Sequence, residues 1–113
     1  MAHFAEIDSN NTVLRVLVVD NSQEHRGQEF LADDCGLGGT WVQTSYNANF
    51  GKEFASVGGT YDPVEKTFKS PKPLPSWVFN TEIWSWEAPI PRPDDGKTYT
   101  WDEPSLTWIE TII

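Results

Sequence analysis

Tyr61-Asp62-Pro63-Val64-Glu65-Lys66-Thr67-Phe68-Lys69-Ser70-Pro71-Lys72-Pro73-Leu74-Pro75 is echoed, eighteen residues on, by Phe79-Asn80-Thr81-Glu82-Ile83-Trp84-Ser85-Trp86-Glu87-Ala88-Pro89-Ile90-Pro91-Arg92-Pro93. Both copies begin with an aromatic followed at once by Asp or Asn, carry a second aromatic seven residues after the first, and run into alternating prolines. A third copy, Trp101-Asp102 followed by Trp108, lacks the prolines. An Asp or Asn at the start of a turn accepts hydrogen bonds from the backbone just ahead of it. Pro63 suits a type I turn, and Pro104 falls in the corresponding turn of the last copy. Each unit is therefore expected to be a β-hairpin whose two aromatics lie on facing strands. The Pro-x-Pro-x-Pro tails cannot donate to a sheet at alternate residues, so they should run extended as spacers or along an edge. One hairpin alone is unstable, whereas several can shield one another.

Upstream of the repeat, residues 3–7 alternate weakly and 8–11 (Asp-Ser-Asn-Asn) have turn composition. Residues 12–19 (Thr-Val-Leu-Arg-Val-Leu-Val-Val) form a dense β-branched run, predicting a hairpin whose second strand is largely buried. Asp20-Asn21-Ser22 supplies capping side chains for a short helix over 23–34, with Phe30 and Leu31 facing inward. Gly27 weakens that helix, and Cys35-Gly36-Leu37-Gly38-Gly39 stops it. Residues 40–46 read as a strand, and 47–56 as a loop with Phe50 and Phe54 as candidate anchors. The predicted fold is mainly β (α+β): an antiparallel sheet with one short helix, then an arm of three repeated hairpins with Pro-x-Pro-x-Pro connections. It forms a single domain, 1–113, with 1–56 holding the N-terminal hairpin, helix and strand and 57–113 the Trp/Pro-rich arm.

The bulk chemistry narrows function by exclusion. The chain has 113 residues, 13% of them aromatic, and a formal charge of −9. An acidic chain repels phosphate backbones, and no Lys/Arg cluster offsets this, so direct nucleic-acid binding is not expected. The N-terminus lacks a signal-peptide pattern, and no apolar run is long enough to span a membrane. Cys35 is the single cysteine, is preceded by Asp33 and Asp34, and is expected to be buried or inert. His3 and His25 do not form a zinc-ligand pattern. Asp33-Asp34 and Asp94-Asp95-Gly96 do not match a calcium loop, and the latter reads as a turn with Gly96 at positive φ. No nucleophile-elbow or phosphate-loop motif occurs, so neither a catalytic residue, a metal site nor a cofactor is expected.

The tryptophans carry the remaining signal. Trp86 and Trp108 hold the second aromatic position of the repeat and are expected in the core. Trp77 and Trp84 fall off it and are candidate partner contacts, together with Phe79, Trp101 and Arg92. Exposed indoles suit a protein interface and, more rarely, the apolar face of a sugar.

Several segments also resemble a known group. They are Met1-Ala2-His3-Phe4-Ala5-Glu6-Ile7 with residues 13–20 behind it, Thr40-Trp41-Val42-Gln43-Thr44-Ser45-Tyr46-Asn47, and Pro75-Ser76-Trp77. The last is the run from Trp86 through Pro89, Pro91, Pro93, Asp94-Asp95-Gly96-Lys97, Tyr99 and Trp101-Asp102-Glu103 to Trp108. Together they resemble small virion structural proteins of tailed bacteriophages of marine bacteria, including cyanophages. The order is kept over most of the chain. Residues 48–58 depart from the group, being shorter than the matching loop and lacking its basic, glycine-rich character. The resemblance implies a non-enzymatic virion protein made in the host cytoplasm, with the major capsid protein or other virion proteins as partners and homo-oligomerisation an option. A capsid decoration or cement protein is the first expectation. A tail, neck or fibre accessory, with glycan contact an option, is the second, and a host-directed binding protein the third.

Overall fold

The computed structural model describes residues 1–112, which are mainly β with one short helical stretch. The chain divides into two compact units, Met1–Pro71 and Lys72–Ile113. The first repeat copy thus falls in the first unit and the other two in the second.

Unit 1 is built around a three-stranded antiparallel sheet of order β2-β1-β3, with β1 at Ala2–Ile7, β2 at Val13–Val19 and β3 at Thr40–Thr44. Asp8 makes the first turn, its Oδ1 accepting from the backbone N–H of Asn10 at 2.8 Å and of Thr12 at 2.9 Å. The register slips between Glu6 and Ile7, leaving Leu14 without an opposite residue and half exposed. β1 is the central strand, and it is covered on both faces. On one side Ala2 and Phe4 pack with Val19, Leu31 and Trp41. On the other, Ala5 and Ile7 pack with Val13, Ala55 and Phe68.

Two expectations change here. The β-branched run of β2 is not the buried strand: Val13 and Val19 are buried, but Leu14 and Val18 are about half exposed because β2 lies outermost in the sheet. The helical stretch covers one sheet face, and the opposite face is closed by the loop after β3 and by Phe68 of the first repeat copy. A central strand apolar on both faces requires two covers.

The helical stretch is a 3₁₀ segment Asn21–Arg26, one α-helical turn α1 at Gly27–Glu29 and a π turn Phe30–Asp34. The Asp20 side chain caps it, accepting from Ser22 N–H at 2.9 Å, and Arg26, at the end of the 3₁₀ segment, ties that segment to the end of the π turn by an ion pair to Asp34 at 2.8 Å. Gly27 is buried because the Phe4 ring lies directly on it. Gly36 at φ +70° ends the stretch. Cys35 is exposed rather than buried, since it sits where the backbone turns away from the core. Trp41 is fixed by donation from its Nε1 to the Gly38 carbonyl at 2.7 Å. In the following loop Phe54 packs against His3 and Tyr46, while Phe50 is half exposed and the deepest anchor is Ala55.

Candidate interaction site

Three two-stranded antiparallel sheets carry the aromatic pairs: β4 (Thr60–Asp62) with β5 (Thr67–Lys69), β6 (Val78–Asn80) with β7 (Ser85–Glu87), and β8 (Tyr99–Asp102) with β9 (Thr107–Glu110). Tyr61 lies opposite Phe68, Phe79 opposite Trp86, and Trp101 opposite Trp108, with ring centroids 4.8, 5.1 and 5.3 Å apart. Each connecting loop is organised by its acidic or amide residue. Asp62 Oδ1 accepts from Val64 and Glu65 N–H, Asn80 Oδ1 from Glu82 and Ile83 N–H, and Asp102 Oδ2 from Ser105 N–H and its hydroxyl.

The last loop residue is left-handed in all three: Lys66 at φ 58°, Trp84 at 52° and Leu106 at 54°. None is glycine, and bulky side chains seldom adopt this conformation. Reading the sequence for turn residues misses these positions. A signal was nonetheless present, because Thr67, Ser85 and Thr107 stand between the left-handed residue and the second aromatic in all three copies.

In unit 2 the two sheets and their connections are joined through aromatic rings and one carboxylate. Phe79 meets Trp84 edge-to-face at 5.0 Å, and Trp77 meets Trp101 edge-to-face at 6.4 Å. Glu103 accepts from Ser76 N–H at 3.1 Å, the Ser76 hydroxyl at 2.7 Å and Trp101 Nε1 at 2.9 Å. These donors hold its carboxyl below the usual carboxylate range, Ser76 contributing most. At the turn before β8, Lys97 N–H donates to Asp95 Oδ1 and Gly96 takes φ +80°. The Tyr99 hydroxyl donates to Asp95, which pushes the phenol up to about 12 and lowers the carboxyl.

The second aromatic of each unit 2 copy also meets the preceding proline tract at an equivalent place. Trp108 Nε1 donates to the Ile90 carbonyl at 2.8 Å, and the Lys72 ammonium lies 5.9 Å from the Trp86 ring centre. Ile90 and Lys72 are the same repeat position, each between two prolines.

These contacts leave a groove of about 360 Å³ walled by Trp77, Trp86, Trp108, Ile90, Glu87 and Arg92. Of the candidate contacts, Trp77 and Arg92 line it; Trp84 and Phe79 do not, and Trp101 stands behind Trp77. Trp86 and Trp108, expected in the core, form its walls. All five unit 2 tryptophans are half-buried, so a division into core and contact indoles does not describe them. Among the described residues, no three His, Cys, Asp or Glu side chains converge as a metal-binding set, and no helix is long and apolar enough to cross a membrane.

No protein-family model matches this chain, and neither a curated protein nor a solved structure matches it.

The Glu103 junction makes a prediction about pH. A carboxyl whose folded pKa is lowered adds stability above the ordinary carboxylate range, and that contribution is lost as pH falls through the lowered folded value. The Trp101 indole N–H resonance should therefore move on acidification through and below the ordinary range. In Glu103→Gln that movement should be absent and unit 2 less stable at neutral pH. Identical Trp101 titrations in both proteins would rule out Glu103 as its partner.

Proposed function

We propose that this protein is a non-catalytic structural component of a tailed-phage virion, a decoration or cement protein that binds neighbouring subunits on the assembled head. The observation that carries this reading is the chemistry of the loop tips. Val64 is 84% exposed, Ile83 64% and Leu106 49%, one apolar side chain on each of the three loops. Beside Ile83, Trp84 keeps a left-handed backbone, at a cost of about 1–2 kcal/mol. The same left-handed position recurs at Lys66 and Leu106, so each hairpin holds its exposed apolar tip on a strained turn, which suits a contact role. The resemblance to small virion proteins of marine phages supports the same reading, as do the small size and the net acidity, which suits a surface turned away from packaged DNA. In this reading the three aromatic-paired hairpins, with their Pro-x-Pro-x-Pro connections, supply the contact elements.

Quantitative mass spectrometry of purified particles, with heads and tails separated, tests the placement. A decoration protein should appear in the head fraction in proportion to capsid subunits. Abundance at the few-copy level of tail proteins would replace this reading with a tail, neck or fibre accessory. Absence from particles would leave a host-directed binder. On the molecule itself, Trp84→Ala should weaken binding to assembled shells by about 2 kcal/mol, some 30-fold, and, because Trp84 packs edge-to-face on Phe79, should lower the stability of unit 2 by only about 0.5–1.5 kcal/mol. Undiminished shell binding by that variant would remove the loop tip from the interface.

A further inference from the structure

We propose that the groove walled by Trp77, Trp86 and Trp108 is a binding site for an uncharged saccharide. This assignment is independent of where on a particle the protein sits, since the loop tips with Ile83, Trp84 and Leu106 take no part in the groove. Its size, about 360 Å³, falls in the range of small-ligand sites, which begin near about 300 Å³.

The state of the indole donors decides between ligand classes. Trp108 Nε1 is spent on the Ile90 carbonyl. Trp77 Nε1 is buried, so the part of this side chain left to the groove is its carbon surface. Trp86 packs edge-to-face with Phe79. The Trp86 ring also has the Lys72 ammonium 5.9 Å from its centre, while the Trp77 and Trp108 walls offer ring carbon rather than a free indole N–H. That is a surface for the C–H-rich face of a pyranose, whose weakly positive hydrogens meet the negative face of the ring.

The polar groups at the rim point the same way. Arg92 is exposed, makes no ion pair among the described residues, and can only donate. Glu87, ionised, can only accept, and it uses Oε2 for Asn80 Nδ2 at 3.3 Å. A ligand that satisfies both must present donors as well as acceptors, as sugar hydroxyls do. A proline-rich strand offers carbonyls and few N–H groups, so it would leave Glu87 facing acceptors. Glu87 and Arg92 are the charged side chains of the groove wall and offset each other, and the chain's net charge of −9 adds no attraction for acidic or sulfated sugars, which favours uncharged ones.

The test uses the full chain. A neutral-glycan array selects the ligand, and ¹⁵N-labelled protein is then titrated with that oligosaccharide and, separately, with a proline-rich peptide. The saccharide should give saturable shifts of the Trp86 and Trp108 indole N–H resonances while Trp41, in the core of unit 1, stays still. Arg92→Ala, which alters an exposed side chain and should fold normally, is expected to weaken binding about tenfold or more. The proposal is overturned if no neutral glycan binds. It is equally overturned if the peptide moves these resonances and sugars do not, or if Arg92→Ala binds as tightly as the parent.

Discussion

Replacing Phe68 with alanine should destabilise unit 1 by about 3–5 kcal/mol, the cost of deleting a well-packed aromatic from a core. Phe68 is 1% exposed and is among the largest fully buried side chains. It closes the sheet face formed by Ala5, Ile7 and Val13, and its ring lies 4.8 Å from Tyr61. Its backbone N–H donates to the Gly51 carbonyl at 2.9 Å, so the same residue positions the loop after β3. Removal takes away one of the two covers of the central strand, and neither the backbone at Gly51 nor the small Ala55 can fill the space. A whole domain is stable by only about 5–15 kcal/mol, so the variant should be partly unfolded near physiological temperature. Urea titration followed by circular dichroism measures the loss, and Phe68→Leu should recover much of it. A loss below about 1 kcal/mol would mean that the loop and sheet hold together without this ring.

Gly27→Ala should destabilise by about 1–3 kcal/mol, although alanine is the better helix former by roughly 1 kcal/mol. The sign follows from geometry. A Cβ on Gly27 would stand 2.1 Å from Phe4 Cζ and 2.3 Å from Cε1. Carbon atoms in contact prefer about 3.5–4.0 Å, so the ring or the whole helical stretch must shift. The shift would be felt at Leu31 and Trp41, which share that face of the sheet. Phe4→Leu, itself destabilising, makes room for the methyl. The double variant should consequently lose less than the two single losses combined, by at least about 0.5 kcal/mol. Strict additivity in that cycle would show that Gly27 and Phe4 do not press on each other.

Gly27 also shows what sequence could and could not convey. By propensity it is only a weak point in a helix. Its reason is the ring of a residue on β1, and no local pattern carries that. The turn signals were legible because Asp62, Asn80 and Asp102 act on backbone N–H groups two and three residues ahead, within the same short stretch. β2 is less buried than its sequence suggests, because a β-branched run shows strand character but not whether the strand is central or outermost. Ala2, Phe4, Ala5 and Ile7 look unremarkable in sequence and line both buried faces. The groove depended on Ile90 meeting Trp108 across eighteen residues, and spacing alone does not report which second aromatic meets which proline tract. Of the contacts that sequence suggests, Arg92 and Trp77 meet at one groove, while Trp84 and Phe79 pair elsewhere.

The exposure of Cys35 has a practical meaning of its own. As the chain's single cysteine, it accepts one thiol-reactive dye per molecule, at a defined place in unit 1, while the groove walled by Trp77, Trp86 and Trp108 belongs to unit 2. Fluorescence from one labelled copy is then a unit of brightness, and the photons from any assembly that holds the protein count its copies.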